Sequence, residues 1–345
     1  MSTKRLSNIE LLRVGAIIMI VMMHGIGYAL HSPNDINRIG VTAINTLGNM
    51  GVTTFMLISG YFGIHFKWSR LSLLWMTALF YSIISFVVNT AYNSMDYTLL
   101  YKAFTPVTSM TWWFLSWYIV IFCLSPYLNK AAEYLTRLQM ITLLGILFSF
   151  FVLSPSLLFH PMTNDMGGKG LPNMITAYLI GQYIAKYDLP KWFTTHSGKL
   201  LVAASAIVFT GSYAAGCISL SASNIMCKDN NLFVVIGATA LFCWTRKYTF
   251  RSSVINYIAG FSFPIYLVNG DALKFLSPWY VGDVNCTSIW MPYLLAILAT
   301  VMTALVLETV RRLLFGRLNA FLAQRFEVLI LNIYENKMNN GKNCA

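Results

Sequence analysis

Three ionisable residues, Glu10, Arg13 and His24, lie in the first apolar stretch of the chain. Arg13 and His24 are eleven residues apart, which at about 100° per residue places both on one face of a helix, about 16 Å apart along its axis. Glu10 flanks the same face. This pattern suits a fixed cation that holds an anionic ligand and an imidazole that transfers protons. A purely structural interpretation has equal weight: Arg13 pairs with Glu10, and His24 makes a polar contact between helices.

The elements that must position these residues are apolar helices. Hydrophobic residues make up 57% of the chain and charged residues only 10%, and a soluble protein of this composition would expose large apolar patches. Mostly apolar windows, long enough to cross about 30 Å of hydrocarbon, recur along the sequence. The sequence therefore predicts an all-α, polytopic integral membrane protein with about ten transmembrane helices, at 9–30, 41–64, 71–92, 112–128, 138–154, 171–186, 199–217, 231–246, 253–273 and 287–310.

The basic residues predict the orientation of these helices. With the amino terminus in the cytoplasm, 18 of the 24 Lys and Arg residues fall on inner segments and 5 on outer loops. The positive-inside rule then predicts that both termini are cytoplasmic, and it explains the net charge of +12 without nucleic acid as a partner. We predict a transmembrane domain over 1–310 and a cytoplasmic, basic amphipathic tail over 311–345 that lies on the anionic inner leaflet.

The cysteines show no ligand spacing that would indicate a metal site. Cys227 and Cys286 fall on predicted outer loops, where they either pair or stay free. Glu308 closes the last predicted span and is expected to pair with Arg311 or Arg312.

Five segments, in order, resemble the acyltransferase 3 family. They are NIELLRVGAIIMIVMMHG at 8–25, TTFMLISGYF at 53–62, KWSRL at 67–71, WWFL at 112–115 and FSFPIYLVN at 261–269. The sequence departs from the family pattern at Asn269, where members often have His, and at Tyr118, where some members have Glu. The ordered set covers nearly the whole chain and is far more specific than any one motif.

The resemblance implies an O-acyltransferase that takes an acyl group, most often acetyl, from cytoplasmic acyl-coenzyme A. Carried over by motif, His24 is the catalytic histidine, Arg13 its partner and Glu10 the acidic position. Lys67 and Arg70 line the entrance for the donor, and the segment Ser59, Gly60, Tyr61 forms part of a cavity wall. Acetyl-coenzyme A or another acyl-coenzyme A is then a co-substrate, with no bound cofactor and no metal.

Several of these residues also have a simpler interpretation. Lys67 and Arg70 suit basic anchors at the inner face, and Ser59 and Gly60 suit close packing of helices. Trp113 stands at the outer end of its predicted span, where it belongs either to an aromatic belt or to a sugar-stacking surface. Asn269 and Asp271 lie at the outer end of the ninth span, where they either contact the acceptor or mark the helix end facing water.

The acceptor implied by the resemblance is a carbohydrate, either a surface polysaccharide or a lipid-linked glycan. We expect the protein to be a multi-pass protein of the inner, cytoplasmic membrane of a bacterium. His24 either removes the proton of the acceptor hydroxyl or carries the acyl group itself. The alternative function is a glycan or glycolipid transporter, because intramembrane Arg and His residues suit transport as well. Transporters often contain two related halves, and the Arg-x10-His motif has no counterpart in the second half of this sequence.

Overall fold

The computed structural model describes residues 6–27, 35–92, 96–158, 167–218, 223, 226–281 and 289–342. All regular secondary structure in these ranges is helical. The elements are α1 Ser7–Gly27, α2 Asp35–Gly48, α3 Met50–Phe62, α4 Trp68–Tyr92, α5 Tyr97–Phe104, α6 Trp113–Tyr134, α7 Arg137–Phe148, a π-helical segment Ser149–Leu153, α8 Ser154–Leu157, α9 Leu171–Tyr187, α10 Lys191–Thr195, α11 Ser197–Gly216, α12 Leu232–Thr245, α13 Ser253–Ala259, α14 Ser262–Val281 and α15 Trp290–Lys342.

Six helical segments within the described residues are long and apolar enough to cross a membrane. They are Ser7–Gly27, Asn37–Phe62, Trp68–Ala91, Arg137–Leu157, Ser197–Gly216 and Trp290–Tyr334, and Leu232–Thr245 is a shorter apolar helix. The all-helical, multi-pass prediction agrees with this arrangement. The count of ten spans and the cytoplasmic position of both termini stay predictions.

Some helix boundaries differ from those predicted by hydropathy. The predicted ninth span is interrupted after Ala259, and a new helix begins at Ser262 and continues to Val281. The last helix does not end near residue 310 but runs on to Lys342. Residues 311–334 contain no proline and are rich in helix-forming Leu and Arg, which explains the continuation. The domain boundary at 310 and the contact of the tail with lipid stay predictions.

The chain forms two compact units, each with its own contacts. The first comprises residues 1–64 and 127–304, and the second comprises residues 65–126 and 305–345. In the first unit the core packs around buried side chains from α1, α3, α9, α11 and α12, among them Ile9, Met50, Leu57, Ile184, Val208 and Phe242.

Two glycines allow α3 and α9 to cross at backbone contact. A Cβ atom on Gly60 would collide with the backbone carbonyl of Tyr178, and one on Gly181 would collide with the carbonyl of Leu57. Small residues permit such close approach between membrane helices. This finding supports the packing interpretation of Gly60.

A buried polar network fixes the chain just after α3. The hydroxyl of Tyr178 donates to Oδ1 of Asn129 at 2.5 Å and accepts from the backbone nitrogen of Ile64 at 3.0 Å. Nδ2 of Asn129 donates to the carbonyl of Ile64 at 2.8 Å, and Gln182 donates to Oδ1 of Asn129 at 2.8 Å. Gly63 precedes Ile64 with a φ of +69°, in the region that favours glycine. The network therefore holds the end of α3 in a fixed turn.

The second unit contains a buried ion cluster on α15. Glu308 is 2% exposed and accepts hydrogen bonds from Tyr81 at 2.9 Å, from Arg311 at 2.7 and 2.8 Å, and from Arg312 at 2.6 Å. The predicted pairing of Glu308 is confirmed, and it involves both arginines. A carboxylate this deeply buried requires such partners.

The thiol of Cys227 is buried and free, and lies 3.3 Å from the hydroxyl of Ser212. Cys286, its proposed partner, lies outside the described residues.

Candidate active site

Hydrogen bonds to the segment that precedes α13 hold the first turn of α1. The hydroxyl of Ser7 accepts from the backbone nitrogen of Ser252 at 2.9 Å and contacts Oδ1 of Asn256 at 3.1 Å. Nδ2 of Asn8 donates to the carbonyl of Thr245 at 3.2 Å. Ser7 and Asn8 are both buried. The start of α1 is thus fixed against residues more than two hundred positions away in sequence.

Two tyrosines hold the other end of α1. The hydroxyl of Tyr280 donates to the carbonyl of Gly25 at 2.9 Å, and that of Tyr293 donates to the carbonyl of Met22 at 2.7 Å. Both tyrosines are buried, and their rings contact each other with centroids 5.7 Å apart. The two bonded carbonyls flank His24, so these contacts fix the backbone that carries the imidazole.

The imidazole of His24 has a defined partner. Its Nδ1 lies 2.6 Å from Oδ1 of Asn269, a residue 2% exposed on α14. Nδ2 of Asn269 donates to the carbonyl of Tyr266, which orients the amide so that Oδ1 faces the imidazole as an acceptor. In the neutral imidazole this contact places the proton on Nδ1 and the lone pair on Nε2. This is the arrangement a histidine base needs, with one nitrogen oriented by an acceptor and the other available for proton transfer.

Lys169, which sequence analysis counted only among the outer-loop charges, is within electrostatic range of His24. Lys169 follows residues 167–168, whose glycines have positive φ angles. The loop is held by hydrogen bonds of 3.0 Å from the backbone nitrogen of Asp229 and from Nδ2 of Asn173. The signal in the sequence was the GGKG segment just before a helix.

Arg13 lies nearer the start of α1 and makes two contacts in the first unit. Its guanidinium pairs with Glu10 at 3.2 Å, with the carboxylate side chain 10% exposed and that of Arg13 32% exposed. The guanidinium also lies over the ring of Phe62, 5.9 Å from its centroid. The ion pair between Arg13 and Glu10 that the structural interpretation predicts is present. The side chain of Arg13 is still partly exposed.

The segment Ser59, Gly60, Tyr61 lies at the end of α3, directly before Phe62. The hydroxyl of Ser59 donates to the carbonyl of Phe55, one turn back in its own helix, at 2.8 Å. Tyr61 contacts the rings of Phe62 and Phe242 edge-on, each with centroids 5.2 Å apart. A role for this segment in a cavity wall stays a prediction.

Arg246, which sequence analysis placed only among the inner charges, contacts the same aromatic residues. Its guanidinium carbon lies 5.0 Å from the centroid of Tyr61 and 5.9 Å from that of Phe242. It also pairs with Asp188 at 3.1 Å. Tyr61 therefore contacts both Phe62, over whose ring Arg13 lies, and the guanidinium of Arg246.

The remaining predicted residues are placed as follows. Lys67 and Arg70 are exposed in the second unit, at the start of α4, and Arg70 contacts the carbonyl of His65 at 3.5 Å. Trp113 begins α6, also in the second unit, and its half-buried ring contacts that of Phe114. Asp271 is half-buried on α14, two residues after Asn269. The roles predicted for these four residues stay predictions.

The described ranges contain no group of three or more His, Cys, Asp or Glu side chains placed to hold a metal ion.

The sequence profile of a family described as an acyltransferase domain matches residues 6–309 of the chain. The matched range contains all of the predicted site residues, from Glu10 to Asp271. No curated protein and no solved structure matches the chain.

Proposed function

The chain belongs to the acyltransferase 3 family and is a membrane acyltransferase, and on that premise we propose that it acylates a hydroxyl of a cell-surface polysaccharide or of its lipid-linked precursor. The donor in this proposal is cytoplasmic acyl-coenzyme A, with acetyl as the acyl group. The observation that carries the proposal is the 2.6 Å contact between His24 and Asn269, which leaves Nε2 as the nitrogen for chemistry.

The proposed chemistry begins with proton transfer to Nε2 of His24. The acceptor hydroxyl gives up its proton as its oxygen attacks the thioester carbonyl, the carbon–sulfur bond breaks, and the departing thiolate takes the proton back from the imidazolium. In a second route Nε2 attacks the thioester first and carries the acyl group to the acceptor. Both routes need the same tautomer, and Asn269 is positioned to maintain it.

The proposed path for the donor follows α1. Arg13 and His24 are eleven residues apart on one helix, so about 16 Å separates the cation from the base along the axis. Acyl-coenzyme A has phosphates at one end of a long arm and the thioester at the other, which suits this separation. In the predicted orientation the Arg13 end faces the cytoplasm, where Lys67 and Arg70 would add donor-binding charges. Asn269, Asp271 and Trp113 are the residues we assign to the acceptor side.

A gene deletion with complementation tests the proposal. We would measure ester-linked acetyl on the surface polysaccharide by proton NMR, before and after mild alkali, in cells complemented with wild type, His24→Ala or His196→Ala. His196 is exposed and its Nδ1 contacts the carbonyl of Trp192, which makes it a matched histidine control. We expect acetyl to disappear on deletion and to return with wild type and His196→Ala but not with His24→Ala, at equal protein abundance.

An unchanged acetyl signal in the deletion strain, with less exported polysaccharide, would contradict the proposal and favour the transporter. Return of acetyl with His24→Ala would remove His24 from the chemistry while leaving the acyl transfer in place.

A further inference from the structure

The C-terminal ends of three helices that are remote from one another in sequence meet beside the first turns of α1. These are the end of α3 at Tyr61 and Phe62, the end of α9 at Asp188 and the end of α12 at Arg246. Asn8 joins α1 to the same place through its hydrogen bond to the carbonyl of Thr245, the residue before Arg246. All of them lie in the first unit, and the predicted orientation places them at the cytoplasmic side.

This cluster has the chemistry of a nucleotide phosphate site. Two guanidinium groups flank two adjacent aromatic rings, since Arg13 lies over Phe62 and Arg246 lies over Tyr61. The ring of Phe62 is 43% exposed and the side chain of Arg246 is 27% exposed. The partly exposed ring of Phe62 offers a stacking surface for a base, and the two guanidinium groups offer donors for phosphate oxygens.

The partner of Arg246 is easily exchanged. Asp188 is 54% exposed, and an ion pair this open to water gains little from its charges. The contact with the ring of Tyr61 does not involve Asp188, so it can hold the guanidinium over the ring when the carboxylate leaves. Arginine binds phosphate through two parallel hydrogen bonds, which a phosphate group would form more strongly than this exposed carboxylate does.

We propose that Arg246, held on the ring of Tyr61, binds a phosphate group of the acyl-coenzyme A donor, and that Asp188 occupies the guanidinium when the donor is absent. This inference rests on the proposed function for the identity of the donor. It adds Arg246 to the donor-binding cations predicted from sequence and gives Tyr61 a positioning role.

The neighbouring cation provides a matched control. Lys247 follows Arg246 directly, but its ammonium donates to the carbonyl of Thr195 at 2.8 Å and is thereby directed to α10. A variant at Lys247 removes the same charge from the same segment without touching the aromatic pair. It separates a specific phosphate contact from a general loss of positive charge.

The test is titration calorimetry of coenzyme A into the purified full-length protein in detergent. We expect Arg246→Ala to raise the Kd about tenfold or more, and Arg246→Lys to raise it less because the charge remains without the planar fork. Lys247→Ala should bind as wild type does, and Asp188→Ala should bind at least as tightly. Removal of the 3′-phosphate from coenzyme A should raise the Kd of the wild-type protein. If it raises the Kd of Arg246→Ala less, that phosphate is the ligand of Arg246.

The outcomes separate this inference from the function on which it rests. Equal binding by wild type and Arg246→Ala would overturn the inference and leave the acyl transfer untouched, and so would an equal loss in Lys247→Ala. A wild-type protein that binds no coenzyme A would overturn the proposed donor itself. Thermal unfolding of each variant, with Arg246→Lys as the conservative change, shows whether a loss of binding reflects a loss of fold.

Discussion

Replacing Asn269 with alanine should slow acyl transfer without weakening donor binding. The change removes the acceptor that lies 2.6 Å from Nδ1 of His24. The imidazole then loses the contact that fixes its ring orientation and its tautomer, and part of the population presents Nδ1 in place of Nε2 as the base. Asn269 is 2% exposed, so water has little access to replace the lost amide.

The expected size of the effect follows from the kind of contact that is lost. Leaving a buried donor unsatisfied costs about 1 to 3 kcal/mol, and each 1.4 kcal/mol corresponds to about tenfold in rate. We therefore expect kcat to fall about 5- to 150-fold. The fall should be smaller than the roughly 10⁴-fold effect of replacing a buried aspartate that orients a catalytic histidine, since the amide of Asn269 is neutral.

The assay uses membrane vesicles that carry the native acceptor, from a deletion strain that expresses each variant. Alkali-labile label incorporated from radioactive acetyl-coenzyme A gives kcat and the KM for the donor. Asn269→Asp keeps an oxygen acceptor for Nδ1 and should retain more activity than Asn269→Ala. Asn89→Ala, which removes an amide that donates to the carbonyl of Ser85 within α4, is the matched control and should behave as wild type.

Wild-type kcat in Asn269→Ala would refute the positioning role, and so would a change confined to KM.

Two further predictions concern stability, measured by thermal unfolding in detergent. Gly60→Ala should lower Tm by roughly 2 to 10 °C because the new methyl group meets the backbone of Tyr178. Gly145→Ala is the control and should leave Tm unchanged, because the space around its Cβ is open. Equal Tm values for the two variants would exclude tight packing at Gly60. Glu308→Gln should cost about 3 to 5 kcal/mol because it leaves the buried Arg311 without its carboxylate partner. An effect no larger than that of the exposed Glu133→Gln would contradict the buried cluster.

Local sequence patterns were sufficient to locate α1 and the two residues on its face. The spacing of Arg13 and His24 follows directly from helix geometry, and each predicted span contains a helix because apolar length is a local property. The short helix α5 was missed because its eight residues are too few to be recognised as a membrane span. Its N-cap, Asp96, accepts from the backbone nitrogen of Thr98 and was a readable signal.

The partners of the site residues could not be predicted in the same way. Asn269 lies 245 positions from His24, and no periodicity in a single sequence reports such a pairing. The sequence showed only that asparagine stands where the family often has histidine. Lys169 and Arg246 were counted as loop charges because basic residues at span ends normally have no other role. The contacts of Arg246 depend on how remote helix ends pack together.

We propose that the first helix serves both substrates, and the contacts at its two ends fix it in position for both roles. Asn8 fixes its start and Tyr293 fixes its end, so the helix between them acts as a rigid spacer of set length. Proton transfer and phosphate binding each tolerate little displacement of the side chain that performs them. If α1 were unrestrained, a movement that adjusted Arg13 to the phosphate would also displace His24. Because both anchors bond to backbone or amide groups outside the reacting atoms, they fix the separation without occupying the nitrogen of His24 that the chemistry requires.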